Sequence, residues 1–244
     1  TRRSSDLLAS YPKSLDGDIQ RNIDTKKIKQ HFKEIIREFL FAIKHPPVLK
    51  AIANMSVHSG YYKSAKDFLQ PVLQSFALAL PFLTFLQEKQ RSSVVIGIAF
   101  FLIYLATSFA SRKSGFFSGL FKNMARPLNI TAMLGFVLGI ASGILYDFRI
   151  TVLAIIFYMG IYLVENLRKP LAVGYVADKV HKSIHASVMS VTSQAKTLFA
   201  AIIAPLLGFL ADRFGVGPAL VIVSGILTIT APFYFIKSKS FKKK

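Results

Sequence analysis

Residues 128–148 read LNITAMLGFVLGIASGILYDF, and the one charged side chain in this stretch, Asp147, lies next to its end. A helix of this length is about 30 Å long, which matches the hydrocarbon core of a bilayer. Similarly apolar segments cover 92–111, 150–167, 187–210 and 218–236, and 52% of the whole chain is hydrophobic. The sequence therefore predicts an all-α fold, a polytopic transmembrane helical bundle.

A sixth predicted span precedes these five and is less apolar. Its helical pattern begins near residue 49 and continues to about 72, as one long or broken helix, followed by an apolar re-entrant or outer segment to about 86. A seventh crossing is the alternative for 68–86, which contains prolines. The span carries ionisable side chains at His58, Lys63, Lys66 and Asp67.

The chain is predicted to have three parts. Residues 1–47 form a basic tail with a surface amphipathic helix over 23–40, whose apolar residues recur at helical spacing. Residues 48–236 form the six-helix bundle, and 237–244 form a second basic tail. Six crossings place both tails on the same side of the membrane.

The distribution of basic residues predicts which side that is. Of 31 Lys and Arg residues, 23 lie in the two tails and in the predicted loops 112–126 and 168–182, and four lie in the other three loops. By the positive-inside rule both termini are cytoplasmic, and we expect a multi-pass protein of the cell membrane. The formal net charge of +19 is thus attributed to topology and contact with the lipid bilayer, not to nucleic acid.

Ionisable side chains inside a span are costly against lipid, so they normally face a cavity or another helix. In the first span three of the ionisable residues and two glutamines share one stripe of the helix. An ion pair is predicted within this stripe, between Lys63 and Asp67. A structural ion pair at the membrane boundary is the alternative. The stripe consists of Lys63, Lys66, Asp67, Gln70 and Gln74.

Two later spans repeat this pattern more weakly. Tyr158, Tyr162 and Glu165 share one face of the fourth span, although tyrosines also anchor helix ends at the interface. Glu165 is expected within a turn of the cytoplasmic end, where it could neutralise Arg168 or Lys169. In the fifth span the candidate cavity residues are Gln194 and Lys196.

Other features restrict the class of function. Gly135, Gly139 and Gly143 form a small-residue ridge that predicts close helix packing. The chain has no cysteine, and its five histidines are interpreted as scattered at ends and loops, so no metal site and no cofactor is predicted. Because no nucleophile or metal motif is present, an enzyme is not expected.

The chain resembles the C-terminal six-helix half of a major facilitator superfamily transporter. The likeness covers about 30–236 and is carried by Arg168-Lys169-Pro170, by GYVAD at 174–178, by ASVMS at 186–190 and by APLLGFLAD at 204–212. The stretch GFLADRFG at 208–215 also looks like the cytoplasmic signature loop of that family, which would reverse the orientation here. The charge distribution favours an outer loop.

The resemblance implies a secondary active transporter that moves a small solute by rocking of two bundles, with the substrate between the halves. The first and fourth helices would line the cavity, so Lys63, Lys66, Asp67, Gln70, Tyr158, Tyr162 and Glu165 are expected there. Asp67 or Glu165 could carry a coupling proton, and lysines including Lys196 would attract an anionic or amphiphilic solute. The implied partner is an N-terminal six-helix half, and a non-transporting scaffold or channel-type subunit is the competing class.

Overall fold

The computed structural model describes residues 33–34, 36–37, 40, 44, 46–81 and 86–236. The chain divides into a unit over 1–38 and a unit over 39–244. Most of the predicted amphipathic helix and all of the tail at 237–244 lie outside the described residues. The second unit contains the bundle.

Every regular element in the described part of the chain is a helix, which confirms the all-α prediction. The elements are α1 (Pro46–Ala65), a 3-10 turn (Lys66–Phe68), α2 (Leu69–Ala79), α3 (Glu88–Arg112), α4 (Ser114–Gly119), α5 (Ala125–Asp147), α6 (Thr151–Lys179), α7 (Lys182–Phe214) and α8 (Val216–Tyr234).

Five helices, α3, α5, α6, α7 and α8, are long and apolar enough to cross a membrane. They match the five apolar segments predicted from the sequence, apart from one or two residues at the ends of three segments, which makes this chain a multi-pass membrane protein. Large apolar side chains cover their outer faces, such as Phe101 of α3 at 66% exposure and Phe233 of α8 at 81%. Apolar surface this extensive requires lipid or protein against it.

The predicted loop at 168–182 is wrong. Helix α6 continues through Pro170 to Lys179, and α7 begins at Lys182, so that the connection shrinks to two residues. Proline is tolerated inside such a helix because neighbouring groups in a membrane bundle satisfy the freed backbone carbonyl. Arg168 and Lys169 therefore belong to α6 rather than to a loop.

Helices α1 and α2 form one continuous helical path with a tightened turn between them. Its 34 residues span about 51 Å at the helical rise of ~1.5 Å per residue. The sequence predicted a long or broken helix to about residue 72, whereas the helical path continues to Ala79. Pro71 fits because it lies in the first turn of α2, where a backbone N–H has little need of a partner.

Contacts between the helices fix their relative directions. On α5 and α8, Gly139 lies beside Ser224 and Gly143 beside Gly217, so these helices are antiparallel. Helix α6 is antiparallel to α1, since Glu165 contacts His58 while Tyr158 contacts Ala65.

Helix α7 is parallel to α1, because Ser56 donates to Thr192 and Ser64 to Ala200. Helix α3 turns back along α2, and Arg91 Nη2 donates to the carbonyl of Leu78 at 3.0 Å. Helix α5 is also parallel to α1, because Gly135 lies beside His58 and Gly139 beside Tyr61. The α1–α2 path, α5 and α7 therefore run in one direction, and α3, α6 and α8 run in the other.

The glycine ridge of α5 lies against α1 and α8. A Cβ added to Gly135 would overlap the imidazole of His58, and one at Gly139 would lie 2.5 Å from Ser224 Oγ and overlap the hydroxyl of Tyr61. A Cβ at Gly143 would lie 2.5 Å from the carbonyl oxygen of Gly217. The ridge lets α5 approach two helices at van der Waals distance.

We expect Gly139→Ala to destabilise the bundle by about 1–3 kcal/mol, because an overpacked side chain must displace Tyr61 or Ser224. Gly97→Ala in α3 is the matched control, since a Cβ there has no neighbour within 4 Å. Thermal unfolding of the detergent-solubilised protein measures both. Equal melting temperatures for the two variants would contradict close packing at Gly139.

Candidate functional site

A buried carboxylate lies at the midpoint of α6. Glu165 is the fifteenth of the 29 residues of this helix and is 1% exposed. Its Oε2 is 2.8 Å from His58 Nδ1, and its Oε1 accepts a hydrogen bond from Ser59 Oγ at 2.7 Å. The prediction that Glu165 lies near a helix end is wrong, because α6 continues for almost four more turns.

His58 is the residue that sequence reasoning missed. It is fully buried in the middle of α1, not at an end or in a loop, and its ring lies 5.5 Å from that of Phe136. Its Nε2 has no hydrogen-bond partner among the described residues and faces the backbone of Gly135. Helical spacing could have indicated that His58 is buried, since His58, Tyr61 and Ala65 share the buried face of α1.

Arg168 is also buried and lies one turn after Glu165 on α6. Its guanidinium donates to the side-chain oxygen of Asn54 on α1, to Thr131 Oγ1 at 3.4 Å and to the carbonyl of Leu128 at 3.3 Å. From its position in the sequence, Arg168 was predicted to be a loop cation that helps to set the membrane topology. In the structure it instead joins three helices inside the bundle.

The hydrogen bonds of Arg168 extend to the end of the bundle. Asn54 Nδ2 donates to Asn129 Oδ1 at 3.4 Å, and Asn129 exchanges two 3.0 Å hydrogen bonds with the backbone N–H and carbonyl of Ile236. The polar network thus links α6, α1 and α5 to the residues that follow α8. A buried network of this kind stabilises only while its members are satisfied.

Two tyrosines of α6 hold the 3-10 turn between α1 and α2. Tyr158 Oη donates to the carbonyl of Ala65 at 2.5 Å, and Tyr162 Oη donates to that of Lys66 at 2.9 Å. Both side chains are buried in the bundle, so they are not anchors at a membrane interface. They satisfy carbonyls at the point where the regular helical hydrogen bonding changes.

The predicted polar stripe lies on the other side of the same helical path. Lys63, Lys66, Asp67 and Gln70 are all exposed. The predicted Lys63–Asp67 pair is absent among the described side chains, since Asp67 lies 4.0 Å from Lys66 and Lys63 Nζ donates to Thr197 Oγ1 of α7 at 3.3 Å. The 3-10 turn tightens this segment and changes which side chains meet.

Polar residues of α6 and α7 flank that stripe. Lys169 Nζ lies 5.8 Å from the centre of the Tyr62 ring, which packs edge-to-face on Tyr162 at 5.1 Å between ring centres. On α7, Gln194 is exposed and Lys196 is partly buried. The structure therefore separates the predicted residues into a buried group (Tyr158, Tyr162 and Glu165) and an exposed group around Lys63.

A separate cleft of about 450 Å³ opens at the end of the bundle near Asp147, Arg149 and Gly217. It contains none of the predicted site residues. Among the described residues no group of three His, Asp or Glu side chains could hold a metal ion.

Comparison of the sequence with known protein families gives no match, and comparison with curated proteins gives no significant relative.

Glu165→Ala should lower the free energy of unfolding by about 3–5 kcal/mol, because it leaves His58 and Ser59 unpaired inside the bundle. Asp67→Asn, on the exposed face, should change it by less than about 0.5 kcal/mol. In a double-mutant cycle, His58→Ala should cost about 1–3 kcal/mol less in the Glu165→Ala background. Additive effects measured by denaturation in detergent would contradict the pair.

Proposed function

We propose that this chain is one six-helix half of a secondary transporter of the major facilitator type, which moves a small solute by alternating access. The observation that carries the proposal is the exposed, ionisable face of the α1–α2 path. Lys63 is the eighteenth of its 34 residues, so the charges lie at mid-helix and not at an end.

A mid-helix position makes exposure to lipid costly. Each charged side chain at the centre of a bilayer costs about 2.5–3.5 kcal/mol by insertion measurements, and this face carries three charges, at Lys63, Lys66 and Asp67. The buried face of α1 already packs on α5, α6, α7 and α8. The exposed face therefore needs water, a solute or a second bundle in front of it.

The helix directions support treating the α1–α2 path as a sixth crossing. The path is too polar to count as a membrane span on hydropathy alone. It is, however, about 51 Å long, and it fits the alternating directions of the five apolar helices. With six crossings, the described basic residues near the helix ends are more numerous at one end of the bundle than at the other. Arg112, Lys113, Lys122, Arg126, Lys179 and Lys182 lie at that end, and Lys89, Arg91, Arg149 and Arg213 lie at the opposite end. This arrangement supports cytoplasmic termini.

Glu165 is a better candidate than Asp67 for a coupling proton. A carboxylate can couple a proton to movement when its partners come from a helix that moves relative to its own. Glu165 lies on α6 and is held by His58 and Ser59 of α1, whereas Asp67 is exposed and its nearest cation is a neighbour in sequence. The other charged groups near Glu165 are Arg168 of α6 and Lys196 of α7.

Because the chain has no cysteine, single cysteines can report on water access directly. We expect Gln70→Cys to react with membrane-impermeant thiol reagents added from either side of the membrane, as residues in an alternating cavity do. Phe101→Cys, which is also exposed but lies on the apolar face of α3, should not react. The measurement is labelling of the full gene product in oriented vesicles, with any cysteine outside this chain replaced by serine.

Labelling of Gln70→Cys from one side alone, or no labelling, would contradict alternating access and favour a scaffold. Simultaneous access from both sides would favour a channel-type subunit.

The proton proposal predicts that the ratio of inside to outside labelling at Gln70→Cys changes between about pH 5 and pH 8. Adding Glu165→Gln should remove this pH dependence, because the amide cannot exchange a proton with His58. Adding Asp67→Asn should preserve it. A pH response unchanged by Glu165→Gln would assign the coupling proton elsewhere.

A further inference from the structure

Three helices bring lysines together around the midpoint of the bundle, at Lys63, Lys169 and Lys196. Lys63 is joined to α7 through Thr197, the residue after Lys196, and Lys169 lies over the ring of Tyr62, the residue before Lys63. Lys196 is the fifteenth of the 33 residues of α7, and its charge interacts with those of Lys63, Lys169 and Glu165. We refer to Lys63, Lys169, Lys196 and Tyr62 as the lysine cluster.

The charges around the cluster do not balance. With His58 counted as neutral, five cations face two carboxylates across α1, α6 and α7. The cations are Lys63, Lys66, Arg168, Lys169 and Lys196, and the carboxylates are Asp67 and Glu165. The described segments 127–146 of α5 and 216–234 of α8 contain no charged residue. The result is an excess of three positive charges at mid-helix.

The carboxylates do little to neutralise the lysines. Glu165 is occupied by His58 and Ser59 behind the cluster, and Asp67 lies 4.0 Å from Lys66. No described acceptor lies within hydrogen-bond distance of the Lys196 amine, although this side chain is partly buried. Partial burial disfavours an ammonium that no described carboxylate neutralises, and this favours an additional anion beside it.

We propose that the lysine cluster binds a water-soluble anion with at least two negative charges, carried by carboxylate, phosphate or sulfonate groups. This inference rests on the proposed transport function and specifies its substrate class. Lipid headgroups offer the same chemistry, but each lysine of the cluster lies at least ten residues from the nearest end of its helix or, for Lys63, of the α1–α2 path. The half-buried ring of Tyr62, beside Lys169, adds an aromatic surface that suits a ligand with a planar body.

The local potential can be measured with Ser193→Cys, since Ser193 is exposed and lies one turn before Lys196 and Thr197 on α7. The measured ratio is the reaction rate with an anionic methanethiosulfonate divided by the rate with a cationic one of equal size. At this cysteine it should be about tenfold higher than at a free thiol, because nearby cations attract the anionic reagent. Lys63→Gln, Lys169→Gln and Lys196→Gln should each lower this ratio about twofold, since three excess charges together give about tenfold. Lys113→Gln, at the end of the bundle, should leave it unchanged.

Ligand binding is measured as protection of the same cysteine against a neutral maleimide in phosphatidylcholine nanodiscs. The probes are inorganic phosphate, succinate and 1,5-naphthalenedisulfonate, with neutral succinamide as the control for succinate. At least one dianion should protect saturably, and each lysine variant should weaken its Kd about tenfold or more. Succinamide should not protect.

Absence of lysine-dependent protection by all three dianions overturns the proposal. Protection by phosphatidylglycerol in the nanodisc and by none of the soluble probes also overturns it, since the ligand would then be a lipid. If the anion result fails while Gln70→Cys still labels from both sides, the substrate class is wrong and the transport proposal stands. If that labelling fails while dianions protect, the site stands and transport is contradicted.

Discussion

The pairing of Glu165 with His58 and Ser59 is the interaction on which the packing of this bundle depends. A carboxylate at the midpoint of a membrane helix is tolerated only with close, well-oriented partners, and α1 supplies both of them within 2.8 Å. That requirement fixes α1 against α6. The same register places Arg168 beside Asn54, and it places the tyrosine hydroxyls of α6 on the carbonyls at the 3-10 turn.

Close approach of α5 is the second condition. The imidazole of His58 occupies the space that a side chain at Gly135 would fill, and the hydroxyl of Tyr61 does the same at Gly139. The glycine ridge and the buried polar groups of α1 are therefore complementary. Once α1 is surrounded on its buried face, Lys63, Lys66 and Asp67 lie on the exposed face of the path, which we propose is covered by a cavity or a second bundle.

Much of the fold follows from hydropathy, whereas the site follows only in part. Apolar runs predicted the five membrane helices because lipid imposes the same requirement on every residue of a span. Helical spacing grouped Lys63, Lys66, Asp67 and Gln70 correctly on one exposed stripe. Spacing could not show that Glu165 pairs with a histidine 107 positions away, because that contact depends on tertiary packing. The length of α6 was underestimated because Pro170 and two adjacent cations resemble a loop, and Arg168 and Glu165 were consequently placed at a helix end.

The central claim is that the charged face of the α1–α2 path meets water within the membrane. Electron paramagnetic resonance of single nitroxide labels at positions 62 to 74, in the cysteine-free chain, measures this directly through collision with a polar nickel chelate and with oxygen. We predict that nickel accessibility oscillates with the helical period of about 3.6 residues and peaks at Lys63, Lys66, Gln70 and Gln74. Oxygen accessibility peaking at those positions, with nickel excluded, would show that this face meets lipid and would contradict the account.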